Sequence, residues 1–209
     1  MTAQELYKLG MEGIANLDIE ALKRDLVRCN DGAIEDVLNT NVSANYQWTA
    51  AMVKSLQPKQ IVELGGAMGV WAICVLHTLA SENHLYSITL AEQGLEFSFM
   101  PHAYNNFTPI VGDDLEMSNW KGIDLSKTDV WYIDTGIADD HFAHQLQKEM
   151  DLYSPYFKKG AIILFDDIHK SEGMSAVWEE IKTGKWGSYD MYDATDPLHW
   201  TGWGITIKL

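Results

Sequence analysis

The chain reads as a doubly wound α/β fold: a seven-stranded sheet, mostly parallel, closed by a C-terminal antiparallel hairpin and preceded by a helical lid. Three observations predict it. From Gln60 onward, short apolar runs alternate with helical periodicities, the pattern of βαβ units with helices on both sides of a parallel sheet. The first apolar run ends in a glycine-rich turn, Glu63-Leu64-Gly65-Gly66-Ala67-Met68-Gly69, that leads directly into a helical run. The last quarter abandons the helical period for two strand-like runs joined by a turn-rich segment containing Pro197.

The elements follow in order. Leu6, Leu9, Ile14 and Leu17 recur at roughly helical spacing. Asp18 is placed as the N-cap of a second helix over 19–29, whose Leu22, Leu26 and Cys29 share a face and which Asn30-Asp31-Gly32 ends. A third helix is predicted over 44–57, stopped by Pro58. No linker sets these helices apart, so residues 1–57 are expected to form a lid on the core, 58–209, of one domain. Strands are predicted at 61–64, 84–90, 108–111, 130–134 and 161–165, with helices at 70–80, 139–153 and 171–182. The first and fifth strands are continuously apolar, as strands buried on both faces are. The runs 186–192 and 203–209 complete the sheet as a hairpin at its edge; in the second, Trp203, Ile205, Ile207 and Leu209 alternate with small or polar residues.

Composition narrows the partners. A length of 209 residues suits one well-cored domain, and 46% apolar with 22% charged residues is ordinary for a soluble protein. The net charge of −15, with no run of lysine or arginine longer than two, argues against nucleic acid or an anionic membrane as partner. Neither Cys29 nor Cys74 has metal-type spacing, and Cys74 falls on the apolar face Val70, Ile73, Cys74, His77, where a buried thiol is expected. The N-terminus shows no secretory pattern and the apolar runs are too short to span a bilayer, so a cytoplasmic location is expected.

In a doubly wound sheet, ligands bind beyond the carboxyl ends of the strands. Those ends carry Glu63 and the glycine turn, Gly112-Asp113-Asp114, Asp134, and Asp166-Asp167. Aspartate is a common turn former and cap, which explains any one of these but less comfortably four along one edge. Glu63 before the turn disfavours a pyrophosphate and suits a ligand carrying an ammonium and a sulfonium.

These residues resemble a class I S-adenosylmethionine-dependent methyltransferase, a Rossmann-like family, from about residue 44 to the C-terminus. Glu63 to Gly69 is similar to that family's acidic-x-Gly-x-Gly-x-Gly motif, with Ala67 for the middle glycine. Gly112-Asp113 is similar to the segment whose aspartate meets the adenine amino group, Trp131-Tyr132-Ile133-Asp134 to the fourth-strand motif, and Tyr156 to Asp167 to the run along the fifth. The closest likeness is to small-molecule O-methyltransferases of the catechol type and the cephalosporin-hydroxylase-related group. The resemblance implies S-adenosylmethionine as cofactor, held by Glu63, Gly65, Gly66, Ala67, Gly69, Thr89, Asp113 and Asp134. It also implies Mg²⁺ on Asp134, Asp166 and Asp167. Adjacent parallel strands lie about 4.8 Å apart, so carboxylates at their ends can converge on a hard octahedral cation that acidifies a bound hydroxyl. In metal-free relatives the fourth-strand aspartate faces the methionine portion, and here Asp166-Asp167 can instead cap the Ser171 loop.

The chain departs from the family at two places. Thr89 stands where an acidic residue usually grips the ribose, with Glu92 the nearest carboxylate. Ile137 stands where related macrolide-type enzymes carry a histidine base, so His141 and His169 are the candidates for that role. His141 and His144 also read as polar residues opposite Phe142, Leu146 and Met150, and His169 as a solvated loop residue. Trp200 and Trp203, near Pro197 and His199, either wall an aromatic acceptor pocket or pack the hairpin. The expected function is O-methylation of a small, aromatic or natural-product hydroxyl, with a homodimer left open. The alternatives are a catalytically silent S-adenosylmethionine-binding protein and an NAD-dependent oxidoreductase; the latter needs Gly-x-Gly-x-x-Gly where this chain has Gly65, Ala67 and Val70.

Overall fold

A computed structural model describes residues 1–29, 44–67, 69–90, 103–135, 141–184, 186–191 and 201–209. The strands are β1 (Gln60–Leu64), β2 (His84–Thr89), β3 (Phe107–Val111), β4 (Val130–Ile133), β5 (Ile162–Phe165), β6 (Trp186–Asp190) and β7 (Gly204–Lys208). They form a seven-stranded sheet in the order β3-β2-β1-β4-β5-β7-β6. Strands β1 to β5 are parallel, and β7 pairs antiparallel with both β5 and β6. The order reverses between β1 and β4, where a doubly wound sheet opens its ligand crevice. Leu64 is in register with Ile133, and Ile133 with Phe165. The residues that follow, Gly65, Asp134 and Asp166, therefore leave the sheet side by side.

Successive side chains of a strand alternate between faces, and this divides the core in two. Ile61, Leu85, Val130, Tyr132 and Leu164 join a cluster with α1 (Ala3–Ile14), α2 (Ile19–Cys29), α3 (Ala44–Leu56) and α4 (Val70–Thr78). Val62, Ile88, Trp131, Ile163 and Phe165 join a second cluster with α5 (His141–Tyr153) and α6 (Glu172–Thr183). Because both faces are covered, the central strands read as unbroken apolar runs.

Helix starts follow from their caps. Thr2 and Glu5 form a reciprocal capping box on α1. Asp18 Oδ1 accepts from the Ala21 N–H at 2.9 Å at the start of α2, and Ser171 Oγ accepts from the Met174 N–H at 3.1 Å at the start of α6. Helix α4 is buried from Val70 to Leu76, and the Cys74 thiol is fully enclosed. The helix predicted over 139–153 is described from His141; residues 30–32 and 136–140 lie outside the described residues.

The hairpin differs from a simple addition at the edge. The last strand, β7, inserts between β5 and β6, leaving β6 outermost. Gly204 to Ile207 are consequently all buried, and Trp203 is a core residue. A Cβ on Gly204 would lie 2.6 Å from the Trp178 ring, so glycine lets α6 sit close on the sheet. Of the proposed aromatic wall, Trp203 is thus packing, while Pro197, His199 and Trp200 lie outside the described residues.

Candidate functional site

The glycine turn is fastened to both neighbouring strands. The N–H groups of Gly65 and Gly66 both donate to the Ile88 carbonyl of β2 at 3.0 Å. Gly65 has φ +87°, and a Cβ there would lie 1.9 Å from the Asp134 carbonyl oxygen. Only glycine satisfies both the left-handed backbone and that approach. Ala67 and Gly69 also have positive φ, 34° and 73°. The Gly69 N–H donates to the Gly66 carbonyl at 2.7 Å before α4 begins. Met68 lies outside the described residues.

Beneath the turn, Glu63 is buried on the α3/α4 side of the sheet. It is in register with Ser87, whose hydroxyl donates to its carboxylate. Burial pushes its pKa up to about 7, with the Ser87 bond acting in the opposite direction. Thr89 ends β2 and is buried, with the Gly112 N–H donating to its carbonyl at 2.8 Å. That bond places the following Asp113 on the same rim, exposed, with Oδ1 accepting from the Leu115 N–H at 2.9 Å. Glu92 lies outside the described residues.

At the ends of β4 and β5, Asp134 and Asp166 point to the face shared by Tyr132. The Tyr132 hydroxyl lies 3.2 Å from Asp134 Oδ2 and 3.0 Å from Asp166 Oδ2, so one phenol spans both carboxyl groups. Tyr132 is held by Trp71, stacked at 4.3 Å and 12° between planes, and by Trp203 at 5.4 Å. Burial, reinforced by Asp166 and Asp167, pushes Asp134 well above the usual carboxylate range. Burial and Asp167 push Asp166 to about 7. The Tyr46 phenol of α3 is also raised, by burial and then by these two aspartates. A small cleft on the other side of these strand ends is lined by Asp134, Thr135, Leu146, Asp166 and Met174.

The expected magnesium set is not assembled. Asp167 sits at φ +58° and its Oδ2 is 2.5 Å from Lys170 Nζ, while Tyr132 occupies the Asp134–Asp166 gap. Among the described residues, no group of three His, Cys, Asp or Glu side chains is placed to hold a metal. A divalent ion needs several convergent oxygens, and here one carboxylate is already paired with an ammonium. No step is derived through magnesium.

His169 is turned toward the outer strand. Its Nε2 is 2.8 Å from Asp190 Oδ2 of β6 and its Nδ1 3.4 Å from Ser175 Oγ of α6. Trp178 Nε1 donates to the same Asp190 oxygen at 3.3 Å. The His141 side chain and Ile137 lie outside the described residues.

Sequence reasoning missed Tyr132, Ser87 and Lys170 as site residues. Tyr132 and Asp134 are two apart on one strand and so share a face, a signal that was present. Ser87 needed the β1–β2 register, and Lys170 needed the course of the loop after Asp167.

The sheet in which β7 inserts antiparallel between β5 and β6, the glycine turn after β1 and the carboxylates on the next strand ends together fit the methyltransferase resemblance drawn from the sequence. Residues 62–168, more than half of the chain, match a family model described as a methyltransferase domain, and the chain belongs to that family. Solved structures agree in fold. A Staphylococcus aureus protein provisionally assigned as a caffeoyl-CoA O-methyltransferase is 19% identical, with 99% of each chain covered and a TM-score of 0.65. An O-methyltransferase from Bacillus cereus in complex with SAH is 14% identical, covering 90% of this chain and 91% of that one, with a TM-score of 0.65. The O-methyltransferase TomG from Streptomyces achromogenes, involved in tomaymycin synthesis and solved with SAM, is 12% identical, covering 88% and 89%, with a TM-score of 0.64. Among curated protein sequences, none is similar enough to count as a match. No helix among the described residues is long and apolar enough to cross a membrane.

Proposed function

We propose that the protein is an S-adenosylmethionine-dependent O-methyltransferase acting on the hydroxyl of a small aromatic or natural-product acceptor. The observation that carries this reading is the contact of Gly65 with the Asp134 backbone, which brings the glycine turn against the Asp134–Asp166 rim. A sulfonium and an ammonium are cations, and this rim offers them carboxyl groups that such cations would help to ionise, without a competing pyrophosphate site. The SAM- and SAH-bound structures that share the fold support the same cofactor.

In this reading Gly65, Gly66, Ala67 and Gly69 shape the backbone against the methionine portion, with Glu63 beneath them. Thr89 supplies a hydroxyl near the ribose, Asp113 meets the adenine amino group, and Asp134 faces the methionine end. The acceptor oxygen attacks the sulfonium methyl carbon; the C–O bond forms as the C–S bond breaks, leaving S-adenosylhomocysteine, and the hydroxyl proton passes to a base. The donor is already a strong electrophile, so holding oxygen, methyl and sulfur in line supplies most of the acceleration. His141 stays the candidate imidazole for that base, while His169, its ring engaged by Asp190 and Ser175, takes a structural role.

The test is direct. Purified protein is incubated with methyl-labelled S-adenosylmethionine and a panel of catechols, flavonoid-type phenols and macrolide or sugar hydroxyls, and products are read by mass. A product heavier by one methyl group that carries the label on oxygen supports the reading. Cofactor binding with no product across the panel supports the silent-binding alternative instead.

A further inference from the structure

Helix α5 carries Gln145, Glu149 and Tyr153 on one stripe, spaced by one turn each. That stripe meets two loops of the proposed cofactor site. Glu149 is fully buried. Its Oε1 accepts from the hydroxyl of Thr135, the residue after Asp134, and from Gln145 Nε2 at 2.8 Å. The same Gln145 nitrogen lies 3.4 Å from Oδ1 of Asp114, the residue after Asp113. The Tyr153 hydroxyl donates to the Asp114 carbonyl and accepts from Trp120 Nε1 at 2.8 Å.

The remaining oxygens pose a chemical problem. Asp114 Oδ2 and Glu149 Oε2 are both buried and have no donor, although the two carboxyl groups are within hydrogen-bonding reach of each other. Among the described residues, no lysine, arginine or histidine forms an ion pair with either. Two neighbouring carboxyl groups, each with a buried oxygen that lacks a donor, are costly. A single proton between them removes the problem.

We propose that Asp114 and Glu149 hold one proton between them as an acid–carboxylate hydrogen bond, making Glu149 a positioning residue that sets the Asp113 loop against the Asp134 rim. The significance of that position rests on the cofactor reading above; the shared proton does not. Asp113 from the loop after β3 and Tyr153 from α5 are the other titratable groups facing the pair, and both are negative when ionised, so they too favour keeping the proton. Thr135, Gln145 and Trp120 are neutral. Burial raises the pKa of both carboxyls; Asp114 raises that of Glu149 further, while the hydrogen bond from Glu149 acts to lower that of Asp114, as a proton carried by Glu149 would. The native state thus binds more protons than the unfolded chain above the ordinary carboxylate range, and the pair's contribution to stability falls as pH rises.

The experiment compares wild type with Glu149→Gln, whose amide is a permanent donor, and Asp114→Asn as a second variant. Carboxyl ¹³C NMR of the ligand-free protein should show one proton of the pair released only well above the ordinary carboxylate range. Melting temperature should fall more steeply between pH 6 and 9 in wild type than in either variant. Both carboxyls titrating below pH 5, or parallel melting profiles, would overturn the shared proton. Calorimetry with S-adenosylhomocysteine then tests the positioning role: wild-type affinity should weaken several-fold from pH 6 to 9 and the Glu149→Gln affinity should stay flat. A wild-type affinity independent of pH contradicts that role. If no form binds the nucleoside at any pH, the cofactor reading fails, while the NMR result still judges the proton.

Discussion

Ser87 stands opposite Glu63 in the parallel β1–β2 ladder and donates its hydroxyl to the buried carboxylate. That pairing makes the acidic residue ahead of the glycine turn part of the sheet as well as of the site. Its pKa of about 7 against an ordinary 4.5 means the folded protein holds a proton that the unfolded chain releases. The group's stabilising contribution is full below pH 4.5 and is lost as pH rises through about 7. Glu63→Gln, which keeps a hydrogen-bond partner for Ser87 and never ionises, should gain on the order of 1–3 kcal/mol over wild type at pH 8 and nothing at pH 4. Denaturant unfolding at the two pH values checks it.

Gly65→Ala should fail more severely than any other single change at the turn. The added carbon would meet the Asp134 carbonyl oxygen at 1.9 Å, and φ +87° is unfavourable to alanine in any case. A loss of about 3 kcal/mol or more is expected, in the range of severe core and backbone defects. A melting temperature within two degrees or so of wild type, where about 1 kcal/mol already moves it further, would contradict the tight packing of β1 on β4.

Calorimetric titration with magnesium chloride should detect no binding at the rim, and chelation with EDTA should leave methyl transfer unchanged. The ammonium of Lys170 neutralises Asp167, and Tyr132 already bridges Asp134 and Asp166. Lys170→Ala releases the Asp167 carboxylate, and any metal binding that appears should appear there first. Saturable magnesium binding by wild type, lost in Asp167→Ala, would show that the side chains rearrange around an ion.

His169→Ala separates a base from a strut. With its ring engaged by Asp190 and Ser175, the expected outcome is a lower melting temperature with kcat changed only a few-fold. A fall of about 10²–10⁴ in kcat, the usual range for loss of a general base, at unchanged stability would assign it the catalytic role instead.

Much of the fold is legible in the sequence. The continuous apolar runs at 61–64 and 161–165 mark strands buried on both faces, and the turn after Glu63 fixes where the crevice opens. The placement of β7 could not be read, because Gly204-Ile205-Thr206-Ile207 alternates like a one-sided strand while Gly204 and Thr206 are buried under α6 and against neighbouring strands. The site was legible as a set of strand ends but not as a set of partners. Which carboxylate meets Tyr132, which meets Lys170 and which meets Ser87 depends on register and loop course, and neither is written in local spacing. Glu149 shows this most sharply: on sequence it is one more acidic residue on an amphipathic helix, and only the fold brings it to Thr135 and Asp114.

Isothermal titration of the purified protein with S-adenosylmethionine and S-adenosylhomocysteine, with NADH as the control, tests the central claim most directly. Saturable binding of both adenosyl compounds, abolished in Gly65→Ala and with no heat from NADH, is the predicted result. Silence toward both adenosyl compounds by folded wild-type protein would contradict it.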